Sequence, residues 1–191
     1  MRRYCVTGGI GSGKSYVCDM LRARGIAIYD CDKAARHLIN TSPVIKRKLI
    51  DLIGPQTYIG KRYNTAAVTE FLLSSEANKR AINAIVHPAV MDDFYASGMQ
   101  WMECAIIYEA NLEGYVDEII AVTAPREVRI QRIMARDGIT YDKAAQWVDG
   151  QADQQEVARR ADYVIVNDGK ADLNKQIDEI INNSQFIIHN S

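Results

Sequence analysis

The stretch that most constrains the fold is Gly8-Gly9-Ile10-Gly11-Ser12-Gly13-Lys14-Ser15. It follows a short apolar run, Tyr4-Cys5-Val6, and leads into a helical pattern through Leu21. Gly, four residues, then Gly-Lys-Ser in a strand–loop–helix setting is the P-loop pattern. Glycines let the backbone turn its N–H groups inward, and the following helix adds the positive end of its dipole, so such a loop wraps phosphate oxygens. Gly9, Gly11, Ser12 and Gly13 are expected to cradle a nucleoside triphosphate. Lys14 would reach its β- and γ-phosphates, and the Ser15 hydroxyl would ligate Mg²⁺.

A chain of 191 residues allows one domain with room for inserts. Its 23 Lys and Arg against 24 Asp and Glu leave a net charge of −1, which argues against a strongly basic nucleic-acid binder. No apolar run approaches the roughly 18 residues of a membrane span, and Met1-Arg2-Arg3 precedes a strand rather than an apolar signal segment. Cys5, Cys18, Cys31 and Cys104 lack metal-ligand spacing and read as buried free thiols. A soluble cytoplasmic protein follows as the expectation, monomeric or weakly self-associating, with neither nucleic acid nor membrane as partner.

Strand and helix patterns alternate along the chain. Strands are expected at Arg3 to Thr7, Ala27 to Tyr29, Glu103 to Tyr108, Glu118 to Thr123 and Tyr163 to Val166. Helices are expected at Lys14 to Arg24, from Pro125 at the first helical position to Arg136, and at Leu173 to Ile181. Between the second and third strands lie helical stretches at Lys33 to Ile39, Pro43 to Ile53, Ala66 to Leu73, Asn78 to Val86 and Pro88 to Ala96. A charged segment from Asp137 to Arg160 carries two further short helical patterns. Five strands with helical connections predict an α/β fold: a P-loop core with a parallel sheet covered on both faces. The single domain divides into a core (1–31, 102–136, 161–191), a helical acceptor-binding insert (32–101) and a lid (137–160). Ligands of such sheets sit beyond the carboxyl ends of the strands.

Two inserts in such a core favour a small-molecule kinase over a GTPase or a motor ATPase. A GTPase needs Asn-Lys-x-Asp, whereas Asn174-Lys175-Gln176-Ile177-Asp178 has one residue too many. A motor ATPase needs an apolar strand ending in Asp, whereas Ala105-Ile106-Ile107-Tyr108 ends in Glu109. Three segments narrow the reading: the loop itself, Asp30-Cys31-Asp32-Lys33-Ala34-Ala35-Arg36, and Ile85-Val86-His87-Pro88. With Ala105 to Glu109, Arg132, Arg136-Asp137, Gln151 and Ala161 to Gly169, they resemble the dephospho-CoA kinase family in order from Cys5 to about Gly169. The chain departs from the family pattern at Tyr16 (usually Thr), Cys31 (Ala), Thr65 (Arg), Ala105 (Pro) and Arg129 (Gln).

The resemblance implies transfer of the γ-phosphoryl of ATP, with Mg²⁺, to the ribose 3′-hydroxyl of dephospho-CoA. It assigns Asp32 as base, with a helix cap as the alternative role for that residue. Arg36 and His87 fall on the acceptor side, and Tyr16 and Arg132 on the nucleotide side. Arg136 is expected to stack on adenine and take part in transfer, with Asn167 and Gly169 along the adenine edge. Arg159 and Arg160 are expected either to close over phosphates or to face solvent. Another small-molecule or nucleoside monophosphate kinase, and a nucleotide-dependent regulatory binder, are the alternatives.

Overall fold

The computed structural model describes residues 2–183; the end of the last core segment, with His189, lies outside the described residues. Two compact units are present, one formed by Asp30–Gly98 and the other by the chain on either side of it. The flanking unit is built on a five-stranded parallel sheet. In chain order its elements begin with β1 (Tyr4–Thr7), α1 (Lys14–Arg22) and β2 (Ile28–Asp30). The intervening unit contains α2 (Cys31–Thr41), α3 (Pro43–Ile53), β3 (Tyr58–Ile59), β4 (Arg62–Tyr63), α4 (Thr65–Ser74) and α5 (Glu76–Ala96). The chain then returns through β5 (Trp101–Glu103), β6 (Glu118–Thr123), α6 (Arg126–Asp137), α7 (Tyr141–Asp149), α8 (Gln154–Arg160), β7 (Tyr163–Val166) and α9 (Leu173–Asn183).

The sheet order is β2-β5-β1-β6-β7, so the strand feeding the glycine loop lies at the centre, paired on both sides. Its register sets Tyr4 against Trp101 and Glu118, and Val6 against Glu103 and Ile120. Every residue of β1 is buried, as a strand flanked by parallel neighbours and covered on both faces requires. On one face, Val17, Cys18 and Leu21 of α1 and Ile177, Ile180 and Ile181 of α9 pack with Tyr4, Val6, Ile120, Val122 and Ile165. Elsewhere Ile130 and Ile133 of α6 meet Ala144 and Val148 of α7, and Ile10 packs against that cluster. Each buried Val, Leu or Ile among them contributes about 1.5–3 kcal/mol by leaving water. The glycine loop is thus held from below by strands and from the side by α6 and α7.

Three sequence expectations are corrected. The third strand of the sheet covers Trp101–Glu103 rather than Glu103 to Tyr108. Its length is set by β1, which leaves the sheet at Gly8; the amide of Cys104 makes the last bond to it, to Val6 O at 3.0 Å. The apolar run that follows winds into turns instead, closed by bonds such as Ala110 N–H to Ile106 O (2.9 Å) and Leu112 N–H to Ile107 O (2.8 Å). The second correction concerns Pro88, which lies inside one continuous helix, α5, rather than between two. Proline in a helix interior costs about 3 kcal/mol. Burial of Ile82, Val86, Val90, Met91 and Phe94 at helical spacing against α2, α3 and α4 offsets that cost. Pro125, expected inside α6, is its N-cap.

Candidate active site

The centre of the site is the turn from β1 into α1. Gly11 and Gly13 adopt positive φ, 78° and 87°, a region costly for other residues. Close approach adds a second requirement. A Cβ on Gly11 would lie 2.6 Å from Arg129 O, and one on Gly13 would lie 2.1 Å from Asn167 Nδ2. Gly13→Ala is expected to weaken nucleotide affinity at least about tenfold from backbone strain alone; titration of the variant with ADP, followed by calorimetry, measures the loss.

The amides of Gly11, Gly13, Lys14 and Ser15 have no acceptor among the described residues. They are the donors that an α-helix N-terminus and a glycine turn leave open, and four open donors beside a helix dipole fit a phosphate group. Ser12 is tied into the loop by its backbone. Its side chain is buried, its amide bonds Gly9 O at 3.1 Å, and its carbonyl accepts from Asn167 Nδ2 at 2.9 Å. Its hydroxyl is buried and has no hydrogen-bond partner among the described residues.

Lys14 forms an ion pair with Glu103 at the end of β5, and the Ser15 hydroxyl donates to the same oxygen, Glu103 Oε1, at 2.7 Å. Arg22 approaches the other oxygen at 3.7 Å. Burial pushes the Glu103 carboxyl up, but the bond and charge of Lys14 and the Ser15 hydroxyl outweigh it and hold the group below its usual range. Burial likewise raises the neighbouring Cys18 thiol, so that side chain stays neutral. The sequence pattern does not single out Glu103, because the apolar run after it puts the strand too late. The register of Val6 against Glu103 is the signal that finds it: a residue paired one position before the end of β1 lies next to the loop.

Arg132 and Asn167 converge on the loop from its far side. Arg132 Nη1 donates to Gly11 O and Ser12 O at 3.3 Å each, and its Nη2 donates to Asn167 Oδ1 at 3.1 Å. Arg129, noted in the sequence only as a departure, is 3% exposed and donates from Nε to Ile10 O at 2.9 Å. Arg136 makes no bond to the loop. Arg136 is directed to its neighbour Asp137, at 2.8 and 2.7 Å, and its side chain is 60% exposed. It continues the helical stripe of Arg129 and Arg132, but about 6 Å further along the axis, past the loop. Tyr16 is 60% exposed, and Gly169 lies in the turn after β7 with no atom near its Cβ position. Arg159 pairs with Glu156, while Arg160 pairs with Glu113 and lies 4.0 Å over the Tyr108 ring.

In the intervening unit, Asp30 caps α2 by accepting from Lys33 N at 2.9 Å. Asp32, the expected base, occupies the first turn, exposed, and is not the cap. Arg36 lies on the same helix, one turn on and exposed. His87 is half-buried in mid-α5, where burial holds its imidazole below the ordinary value. Folding thus favours neutral His87. Its contribution is full above the unfolded value near 6.5 and falls as pH drops through the lower folded value, by at most about 1.4 kcal/mol per pH unit. Melting from about pH 7.5 to 5 should show a steeper decline for the wild type than for His87→Gln.

The family model for dephospho-CoA kinase matches residues 4–172. A dephospho-CoA kinase of Bacteroides fragilis is 35% identical over 187 residues, covering 92% of this chain and 89% of the relative. Among solved structures, TT1252 from Thermus thermophilus superposes with a TM-score of 0.84 at 26% identity, over 97% of this chain and 98% of its own. The dephospho-CoA kinase of Campylobacter jejuni shares the fold, with a TM-score of 0.63 at 21% identity over 95% and 96% of the two chains. The phosphate-fitting loop on the central strand and a match along nearly the whole chain lead to one assignment: this protein belongs to the dephospho-CoA kinase family.

Proposed function

We propose that the protein transfers the γ-phosphoryl group of ATP to the ribose 3′-hydroxyl of dephospho-CoA, giving coenzyme A and ADP in the last step of coenzyme A synthesis. The family match along residues 4–172 carries this reading, and the open amides of the glycine loop agree with it. A bond forms between the 3′ oxygen and the γ-phosphorus as the bond to the β–γ bridging oxygen breaks, and its electron pair leaves with ADP. The hydroxyl proton passes to the carboxylate of Asp32. A loose transition state of this kind needs positioning and charge neutralisation more than covalent help from the protein.

The residues divide the task. The loop amides hold phosphate oxygens, and Lys14, released from Glu103, neutralises charge that develops on the bridging oxygen. Mg²⁺, when bound, supplies positive charge at the transferred group, and the Ser15 hydroxyl with the Glu103 carboxylate are the donors that would hold it and its waters. Hard oxygen ligands of this type suit that ion. Asp32, Arg36 and His87 are assigned to the acceptor because the segments carrying them resemble the family most specifically. Arg136, with its fork on Asp137, would have to exchange that partner to reach a nucleotide. A cytoplasmic location accompanies the reading, since ATP is the donor; no helix of the described residues is long and apolar enough to cross a membrane.

The test is ADP release with Mg-ATP and, in turn, dephospho-CoA, AMP, shikimate and no acceptor. Release should depend on dephospho-CoA, with one phosphoryl group appearing on its ribose. Release that follows another acceptor, or that is equal without one, defeats the proposal.

A further inference from the structure

Arg129 is a buried guanidinium with no carboxylate at ion-pair distance among the described residues. Asp149, whose charge acts on it, uses both oxygens on Arg126, at 2.8 and 2.6 Å. Burial accordingly lowers the Arg129 guanidinium from its ordinary value. An uncompensated buried cation is costly, so its placement calls for a reason beyond packing.

Its bonds supply one. Arg129 Nε donates to the carbonyl of Ile10 at 2.9 Å, and its Nη2 donates to Gln151 Oε1 at 2.8 Å. The same Gln151 oxygen accepts from the amide of Ile10 at 2.7 Å. Arg129 and Gln151 therefore grip both polar groups of residue 10 and are joined to each other. Gln154 Oε1 takes the adjacent amide of Gly9 at 3.2 Å, and the Ile10 side chain is set against the α6–α7 cluster. The stretch that carries the open amides of Gly11, Gly13, Lys14 and Ser15 receives no side-chain bond from this group; what it receives is the position of the residues before it.

We propose that Arg129, acting through Gln151, is a positioning residue that clamps the Gly9–Ile10 half of the phosphate loop and thereby holds the open amides ready for nucleotide. The clamp depends on the planar fork, which reaches two acceptors at once, and a Lys ammonium in its place cannot reproduce that geometry. The inference rests on the proposed nucleotide binding but not on the identity of the acceptor.

Binding of Mg-ADP, followed by calorimetry on the full chain, tests it without any transfer. Arg129→Gln, Arg129→Lys and Gln151→Ala should each raise the dissociation constant about tenfold, as loss of a charge-assisted bond does. The double variant Arg129→Gln/Gln151→Ala should be no weaker than the weaker single, because both act on one peptide unit. Gln151 is exposed, so its variant should fold even if those at Arg129 do not. Unchanged affinity in Gln151→Ala overturns the clamp. So does tighter affinity, which would show the glutamine competing for the loop instead of shaping it. Wild-type affinity in Arg129→Lys overturns the fork, and additive losses in the double variant overturn the coupling. If the wild type binds Mg-ADP but does not phosphorylate dephospho-CoA, the acceptor assignment fails and the clamp stands.

Discussion

Replacing Asp32 with Asn should lower kcat by about 10²- to 10⁴-fold and leave Mg-ATP affinity within about twofold. The stability control is built into the neighbouring residue. Asp30 does the capping, so Asp30→Ala should cost about 1 kcal/mol of stability, whereas an exposed first-turn carboxylate that caps nothing should cost under about 0.5 kcal/mol. A carboxylate here would take the proton as the 3′ oxygen bonds to phosphorus. In a loose transition state that proton leaves late, so such a carboxylate would also orient the hydroxyl. Asn can orient but cannot accept the proton. If the Asn and Ala variants lose equal activity, the proton role dominates; if Asn keeps most of it, orientation dominates. Steady-state rates with saturating dephospho-CoA decide, and near-normal kcat in both variants would falsify any role for Asp32 in transfer.

The loop was legible because its chemistry is local: glycine spacing, a lysine and a serine on the first helical turn carry their geometry with them. The same holds for Pro43–Ile53 and Tyr163–Val166, whose apolar periods and flanking signals coincide with α3 and β7. What failed was set by partners distant in sequence. The run Ala105-Ile106-Ile107-Tyr108 looks like a strand, yet a parallel strand extends only as far as its neighbour, and β1 departs at Gly8. That misplacement hid Glu103 and left Glu109 as the apparent acidic strand end. Pro88 reads as a break because propensity is local, while packing on α2, α3 and α4 is not. Arg129 and Arg136 look alike in the sequence, two arginines on a charged helix. Seven residues apart, they share a face, but only the first lies level with the loop, and depth along a helix axis is not written in its period.

Replacing Glu103 with Gln should move binding and turnover in opposite directions. The carboxylate is the counter-charge of Lys14 and accepts from Ser15, so the loop lysine is held on protein before any ligand arrives. A Gln side chain keeps the shape and can still accept from Ser15, but it binds an ammonium less strongly than a carboxylate does. The difference between a charged and a neutral hydrogen bond, about 1–1.5 kcal/mol, then favours phosphate, and affinity for Mg-free ADP should rise about tenfold. Turnover should fall about 10- to 100-fold, because the anion proposed to support the Ser15 metal site has gone. Stability against acid changes as well. Glu103 lies below its usual range in the folded protein, so its contribution is present above the unfolded value near 4.3 and is lost as pH falls through the folded value. The E103Q variant should lack that loss, and its melting temperature should fall less than that of the wild type under acid. Calorimetry without Mg²⁺, rates with it, and acid melts are independent measurements. Weaker Mg-free ADP binding would show that Glu103 shapes the loop rather than competing for Lys14, and unchanged kcat would remove it from the metal site.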